Sequence, residues 1–221
     1  KLIDAKENLS IQVHPDDDYA LSRENEYGKN EMWYVLEHEE GAGIYCGFKQ
    51  DMTREQVQEA LTDGSILSLL NWIPVENGKA YYIPAGTVHA IGKGVVVCEI
   101  QQSSNCTYRL YDYNRTDRYG NRRQLHVEKA LDVTLCTPPV KHDFGGHLAQ
   151  CEYFTVDARN GAFEGVADEK SFVSLLITDG EGTLTSGGET VAVKKGESYF
   201  LPAASGPYAV TGTCQTLVTT V

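Results

Sequence analysis

The segment GKAYYIPAGTVH, residues 78–89, decides how this sequence is expected to fold. Aromatic and β-branched residues dominate its first half, which indicates a strand, and Pro84 and Gly86 mark the turn that ends the strand. His89 follows this turn directly. A tight Pro-Gly turn that delivers a histidine into a β-barrel makes His89 a candidate metal ligand.

A second, altered copy of this segment lies further along the chain. Residues 196–204 read GESYFLPAA and repeat the spacing of a glycine, five residues and a proline. Upstream, MWYVLEHEEGAG resembles the later FVSLLITDGEG. These two segments lie further apart in the sequence than the two glycine-proline segments do, and the difference is about the length of one helical segment. We therefore predict two related β-units with a helix inserted into the first; chance similarity is the alternative. Pro207 stands in the second copy where His89 stands in the first, so only the first unit is a candidate metal site.

Short apolar runs separated by Gly, Asp and Asn recur along the whole chain, for example EMWYVLE, GVVVCEIQ and CQTLVTTV. Many short strands with turn residues between them favour a β-sandwich or barrel.

One helical segment interrupts the pattern of short strands. In TREQVQEALTDGSILSLLN, Thr53 and Gln56 have the spacing of a capping box, and an apolar helical stripe runs to Gly64. Weaker helix signals begin at Asp16 and His126.

Composition and charge exclude several classes of function. The 221 residues include 31 acidic and 19 basic side chains, which leaves a net charge of −12. Such a chain repels phosphate backbones and anionic headgroups, so we expect a small-molecule partner rather than nucleic acid or a membrane. No apolar run reaches the roughly 20 residues that span a bilayer, and no signal peptide is visible. The six cysteines form no C-x-x-C pair, which indicates thiols in a reducing compartment, and we predict a cytoplasmic location.

Gln12 and His14 lie two residues apart in an alternating run, so both project to one face of a strand and could join His89 around a metal ion. Glu31 begins the next strong strand and offers a charge-neutralising carboxylate. Two histidines and one glutamate leave a coordination position open, which is the pattern of catalytic zinc sites. Taken singly, a histidine before a proline is usually a turn or cap residue, and a glutamate at the start of a strand is usually solvated. The other four histidines are assigned to the surface: His38, His126, His142 and His147.

The string Gly78-x5-Pro84-x-Gly86-x2-His89 resembles the second sequence motif of the cupin superfamily at all four defining positions. Cupins are small β-barrels that hold a metal ion between inward-pointing histidine and glutamate side chains. The resemblance implies a mainly β fold of two cupin-like β-barrels, or jelly rolls, with a small helical insertion in the first. We predict a metal-binding cupin domain over residues 1–140, with the insertion at about 51–72, and a degenerate cupin-like β domain over residues 141–221.

Three segments together resemble the type I mannose-6-phosphate isomerase family in its short bacterial form: SIQVHP, GKNEMWYVL and YYIPAGTVHAIGKGVVVCEIQQSSNCTYRLYDYNR. The resemblance implies an enzyme that interconverts mannose 6-phosphate and fructose 6-phosphate with one zinc ion per chain. Carried over by position, it implies three zinc ligands, a candidate fourth ligand and an active-site arginine: His14, Glu31 and His89, then Gln12, then Arg109. The family normally has a further N-terminal segment, and because the sequence opens at Lys1 we expect that segment to be missing.

Isomerisation of an aldose to a ketose moves a proton between C1 and C2 through a cis-enediol(ate), which needs a base and a group that stabilises negative charge on oxygen. Arg109 could bind an enediolate oxygen or the phosphate, and Lys29 could place a second cation near the phosphate. Glu99 is a candidate proton shuttle, because a partly desolvated barrel suits a carboxylate to proton transfer. Structural roles remain the alternatives: an ion pair of Arg109 with Asp112, a loop charge at Lys29, and a buried partner of a basic side chain at Glu99.

Two other functions are compatible with the same candidate residues. A non-catalytic cupin that binds sugar phosphates, as a degenerate or regulatory paralogue, would bind the ligand without turnover. An iron-dependent cupin oxygenase would usually have more histidines at its metal site than this chain offers. The sequence leaves open the physiological metal, the preferred hexose phosphate and the oligomeric state.

Overall fold

Strands make up most of the regular structure in both halves of the chain, which confirms the prediction of a mainly β protein. The computed structural model describes residues 1–221. The chain divides into two compact units, Lys1–Lys141 and His142–Val221. None of the four helices has the length and apolar character needed to span a bilayer.

The first unit contains two antiparallel sheets and all four helices. In chain order its elements are β1 (Leu2–Asp4), β2 (Ile11–Val13), α1 (Asp17–Glu24), β3 (Glu31–His38), β4 (Gly43–Phe48), α2 (Arg54–Asp63), α3 (Ile66–Leu69), β5 (Leu70–Pro74), β6 (Ala80–Ile83), β7 (His89–Ile91), β8 (Val95–Gln101), β9 (Tyr108–Tyr111) and α4 (Val127–Val133). One sheet has the order β1-β8-β3-β6, and the other has the order β5-β4-β7-β2-β9.

Apolar side chains from both sheets form the core of the first unit. One buried cluster joins Trp33 and Val35 of β3 to Ile44 of β4 and Ile91 of β7. Alternate residues of a strand share a face, so Glu31 lies on the same face of β3 as Trp33 and Val35. A charged carboxylate is therefore presented on a face that is otherwise lined by core side chains.

The helical insertion begins where the capping-box spacing predicts it. Thr53 Oγ1 accepts a hydrogen bond from the Gln56 amide at 3.2 Å, and Gln56 Oε1 accepts one from the Thr53 amide at 2.8 Å. Helix α2 ends at Gly64, whose φ of 83° lies in the left-handed region that glycine adopts without strain. The two weaker signals also correspond to helices, because Asp16 caps α1 and α4 follows His126.

Replacing Thr53 by alanine should lower the free energy of unfolding by about 1 kcal/mol, because the first turn of α2 loses one side of its capping box. Denaturant unfolding followed by circular dichroism measures this change. Thr62→Ala is the matched control, since the Thr62 hydroxyl only bonds back to the Gln58 carbonyl of the same helix, at 2.9 Å. Equal losses of stability in the two variants would contradict the capping role.

The second unit consists of two antiparallel sheets. Its strands are β10 (Ala149–Gln150), β11 (Thr155–Asn160), β12 (Phe163–Ala167), β13 (Val173–Asp179), β14 (Glu181–Ser186), β15 (Glu189–Lys194), β16 (Ser198–Leu201), β17 (Gly206–Gly212) and β18 (Gln215–Thr220). The sheet orders are β10-β11-β18-β13-β16 and β12-β17-β14-β15. The core of this unit includes Leu175, Ile177 and Val210.

The strand order of the first unit recurs in the second. The order β1-β8-β3-β6 corresponds to β11-β18-β13-β16, and β5-β4-β7-β2 corresponds to β15-β14-β17-β12. The matching segments of the sequence form equivalent strands, since β6 pairs with β3 and β16 pairs with β13. This correspondence supports the internal repeat. In β17, Pro207 lies opposite Val166, so neither position offers a metal ligand there.

All six cysteines are free thiols. Cys46, Cys98, Cys106 and Cys214 are buried. Burial raises the pKa of Cys46 and of Cys98 to about 11, so both thiols stay protonated at neutral pH.

Candidate metal centre

Strand pairing in the first unit brings together residues that are far apart in the sequence. Strand β2 pairs with β7 so that Gln12 lies directly opposite His89. His14 follows the end of β2, and Glu31 begins β3 in the other sheet. The four residues predicted to be metal ligands therefore converge from three strands.

The ligand atoms of His14, Glu31 and His89 all lie within 4.8 Å of one another, and the three side chains are buried. His14 Nε2 is 3.3 Å from Glu31 Oε2, and His89 Nε2 is 3.3 Å from Glu31 Oε1. The Gln12 amide also joins the group, with its Nε2 atom 3.3 Å from His89 Nε2. We call these four residues the ligand cluster.

Backbone carbonyls orient both imidazoles. His14 Nδ1 lies 2.9 Å from the Cys106 carbonyl oxygen, and His89 Nδ1 lies 2.8 Å from the Thr87 carbonyl oxygen. Because a carbonyl only accepts hydrogen bonds, each Nδ1 is the protonated nitrogen of its ring. Each Nε2 therefore carries the lone pair, and both lone pairs face Glu31. A hydrogen bond from the second nitrogen is the usual way in which proteins orient a metal-ligating histidine.

Burial and neighbouring groups hold Glu31 and His89 in their deprotonated forms. Burial alone would raise the pKa of Glu31, but the groups around the carboxylate, among them the Lys29 ammonium, outweigh it and keep the pKa below the usual range. Burial is the main reason why the pKa of His89 falls to about 3. At neutral pH, Glu31 is thus a carboxylate and His89 is a neutral imidazole, which are the forms that bind metal ions.

Glu31 Oε1 is buried and has no hydrogen-bond partner. A buried carboxylate oxygen without a partner is costly, and buried charges are normally paired or coordinate a metal ion. Together with the two imidazole lone pairs, this oxygen completes a donor set that can hold a metal ion.

Lys29 is buried, with 5% of its surface exposed, and it contacts the ligand cluster. Its Nζ atom lies 2.5 Å from Glu31 Oε2, 3.2 Å from His14 Nε2 and 3.8 Å from Glu99 Oε1. Lys29 does lie in the loop before β3, but its charge is buried rather than solvated. The ammonium group links the cluster to Glu99.

Glu99 is also buried, with 6% of its surface exposed, and each of its carboxylate oxygens has a partner. Oε1 accepts a hydrogen bond from Lys1 Nζ at 3.1 Å, and Oε2 accepts one from the Trp33 indole nitrogen at 3.2 Å. The alternative role for Glu99 was that of a buried partner of a basic side chain, and two basic side chains, those of Lys1 and Lys29, do lie next to it. The same contacts place the carboxylate beside Lys29 and the ligand cluster.

Arg109 lies on β9 directly opposite Gln12, which is itself opposite His89. These three residues form a row across β7, β2 and β9. Arg109 Nε donates to Ser10 Oγ at 3.3 Å, and its Nη1 donates to the Gln124 carbonyl at 2.8 Å. Strand pairing thus places Arg109 beside Gln12 of the ligand cluster, and the acceptors of these guanidinium hydrogen bonds are neutral.

Asp112 does not serve as the partner of Arg109. Its buried carboxylate is bound by the guanidinium groups of Arg115 and Arg123. The alternative of a surface ion pair between Arg109 and Asp112 is therefore wrong, because the two other arginines occupy the carboxylate oxygens.

The histidines outside the cluster are not all surface residues. His38 and His142 are exposed, as predicted. His126 is half-buried, and its Nδ1 accepts the Arg109 amide at 3.2 Å. His147 is half-buried too, with its Nδ1 2.7 Å from Asp157 Oδ1.

Sequence reasoning missed three parts of this site. The carbonyls of Cys106 and Thr87 belong to the backbone, so no residue type indicates them. In the sequence, Trp33 indicates only a strand, although its position two residues after Glu31 puts the two side chains on one face. The alternation of side chains along the strand could therefore have predicted that the Trp33 indole lies at the site.

This chain is similar to several known proteins. Residues 146–221 match the family model described as mannose-6-phosphate isomerase, cupin domain. The mannose-6-phosphate isomerase ManA of Bacillus subtilis (strain 168) is 36% identical over 230 residues, which cover 99% of this chain and 73% of that protein. The mannose-6-phosphate isomerase of Streptococcus mutans serotype c is 38% identical over 213 residues, 91% of this chain and 67% of that protein. The crystal structure of the Bacillus subtilis mannose 6-phosphate isomerase superimposes with a TM-score of 0.89 over 100% of this chain and 74% of that chain, which confirms the cupin-type fold.

Proposed function

The chain belongs to the mannose-6-phosphate isomerase family, and from this premise we propose that it interconverts mannose 6-phosphate and fructose 6-phosphate with one bound zinc ion. The observation that carries the proposal is the convergence of two oriented imidazoles on a carboxylate whose Oε1 has no partner. We assign the metal to the first unit, in a domain over about residues 1–140 with the helical insertion at about 51–72, and regard residues 141–221 as a cupin-like domain without a metal.

The donor set of the ligand cluster supports zinc. Two imidazoles with one carboxylate are a typical donor set for catalytic zinc, and they leave a coordination position open.

The unpartnered carboxylate oxygen of Glu31 supports a cation at the same place, because a buried charge is normally paired or bound to a metal ion. His14 and His89 are lone-pair donors, and the Gln12 amide can offer its oxygen as a fourth donor when it turns about its terminal bond. His14, Glu31 and His89, with Gln12 as the candidate fourth, would hold the ion.

When bound, zinc would supply a Lewis acid that polarises the sugar oxygens or acidifies a water molecule. We assign the transfer of the proton between C1 and C2, through a cis-enediol(ate), to Glu99. Its Oε2 is held by Trp33, while its Oε1 faces Lys29, so the carboxylate is fixed at the edge of the cluster. A positioned carboxylate of this kind contributes to catalysis as a general base and then as a general acid.

Arg109 and Lys29 would stabilise the negative charge that develops on the substrate. The hydrogen bonds of Arg109 to Ser10 and Gln124 use Nε and Nη1, and they aim the guanidinium without neutralising it. Lys29 is buried against Glu31, which favours a role at the reacting sugar oxygens over one at a distant phosphate. Arg109 is then the better candidate for the phosphate, or for an enediolate oxygen.

The cytoplasmic location, and the absence of nucleic-acid and membrane partners, stay predictions from composition. The net charge of −12 supports the second of them, since it opposes binding to polyanions. A sugar phosphate is small enough to be bound by a local cluster of cations in an acidic protein.

Removing the metal should abolish the isomerisation, because the sugar oxygens lose their Lewis acid while the residues of the site remain. The experiment measures fructose 6-phosphate formed from mannose 6-phosphate by the protein as isolated, after chelation, and after one equivalent of zinc is returned. We expect loss by about a thousandfold on chelation, with recovery on addition of zinc.

Full turnover by chelated, metal-free protein would contradict the assignment of zinc. Saturable binding of mannose 6-phosphate in calorimetry, without turnover by the zinc-loaded protein, would favour a non-catalytic sugar-phosphate-binding cupin. The two measurements therefore separate the proposed enzyme from its main alternative.

A further inference from the structure

Trp33 lies between the proposed proton shuttle and a proposed metal ligand. Its side chain is 1% exposed, and its indole nitrogen donates to Glu99 Oε2 at 3.2 Å. On its other side, the indole meets His89 edge to face, with ring centroids 5.4 Å apart and an interplanar angle of 73°.

The register of the sheet explains this arrangement. Trp33 on β3 lies directly opposite Glu99 on β8, and Glu31 lies opposite Gln101. Cross-strand neighbours project to the same face, so Glu31, Trp33 and Glu99 are presented together. The indole therefore lies between the Glu99 carboxylate and the imidazole of His89.

The hydrogen bond of Trp33 is well suited to fixing a carboxylate. An indole N–H is a donor only, so Oε2 of Glu99 must act as its acceptor. The other bond to Glu99 comes from Lys1, whose side chain is 54% exposed, and ion pairs with exposed partners constrain geometry weakly. The buried bond from Trp33 is thus the one that sets the plane of the carboxylate and leaves Oε1 turned towards Lys29.

We propose that Trp33 is a positioning residue for the isomerisation, which holds the Glu99 carboxylate at a fixed place relative to the metal-binding imidazole of His89. This inference rests on the proposed function, because it takes Glu99 as the proton shuttle. It concerns the orientation of Glu99 and leaves substrate binding to other residues.

Trp33→Phe tests the proposal, since phenylalanine keeps an aromatic ring against His89 and removes the N–H donor. We expect kcat to fall about tenfold, because a misplaced general base loses much of its effect, with KM and zinc content unchanged. Trp72→Phe is the matched control. It removes the other indole of the chain, which is 38% exposed on β5, and it should leave kcat unchanged.

A double-mutant cycle with Glu99→Gln decides whether Trp33 acts through Glu99. Glu99→Gln alone should lower kcat about a hundredfold, and adding Trp33→Phe to it should cause no further loss. The proposal is overturned if Trp33→Phe keeps full kcat, if it loses zinc along with activity, or if it lowers kcat equally in both backgrounds. Unchanged kcat in Glu99→Gln would instead refute the proton-shuttle role on which the inference rests.

Tryptophan fluorescence tests the contact without any turnover. In the Trp72→Phe variant, Trp33 is the only tryptophan, since the chain contains two. We expect Glu99→Gln in this background to shift the emission maximum, because it removes the charge next to the indole nitrogen. An unchanged spectrum would show that the indole does not contact the carboxylate.

Discussion

Replacing His89 by alanine should remove the metal ion and lower kcat/KM for mannose 6-phosphate by about a thousandfold or more. His89 is fully buried at the start of β7, and its Nε2 lone pair faces the Oε1 atom of Glu31. Without the imidazole, the cluster keeps one histidine, one carboxylate and the Gln12 amide, and because a neutral amide is a weak donor the zinc site is no longer stable. Elemental analysis of the purified variant, together with steady-state kinetics, measures both losses.

His38→Ala is the matched control for this variant. His38 ends β3 and is exposed, with its ring bonded to the neighbouring Glu39 carbonyl, so it should keep both metal and activity. His89→Gln adds a second comparison, because an amide keeps much of the volume and supplies a weaker donor. A variant without His89 that retained one zinc ion per chain and full activity would refute the assigned metal site.

Much of this site could be predicted because its signals are local. The turn at Pro84 and Gly86 predicts where β7 begins, and therefore that His89 enters the unit at a strand end. Strand alternation predicts that Gln12 and His14 project to one side. Each of these inferences uses residues within a few positions of one another, and the structure brings the corresponding side chains together.

The remaining features depend on which strands pair and in which register. Trp33 contacts Glu99 only because β3 and β8 pair with these two residues opposite each other. A slip of one residue would turn every side chain to the other face, and a single sequence does not specify that register. The same holds for Asp112, whose partners Arg115 and Arg123 are brought to it by the loop that follows β9. The internal repeat predicted related units, but the order of their strands required the structure.

Replacing Arg109 by alanine should lower kcat by about a hundredfold to a thousandfold, while the zinc content stays at one ion per chain. Arg109 lies in the row opposite Gln12, beside the ligand cluster and outside it, so its loss removes a positive charge without removing a metal donor. Its bonds to Ser10 and Gln124 fix the guanidinium before substrate arrives, which is what electrostatic stabilisation of a developing oxyanion requires. Metal analysis and the separate determination of kcat and KM measure the effect.

Whether Arg109→Ala changes kcat or KM shows which part of the substrate Arg109 contacts. A fall in kcat with an unchanged KM would indicate a contact made mainly in the transition state, at an enediolate oxygen, whereas a rise in KM with kcat retained would indicate the phosphate. Arg109→Lys keeps the charge but loses the planar fork, so it should recover activity only in part. Arg54→Ala, which removes a half-exposed guanidinium paired with Asp132, is the control and should change neither constant. Loss of zinc in Arg109→Ala would contradict the assignment, because it would make the arginine a support of the metal site rather than a group that acts on the sugar.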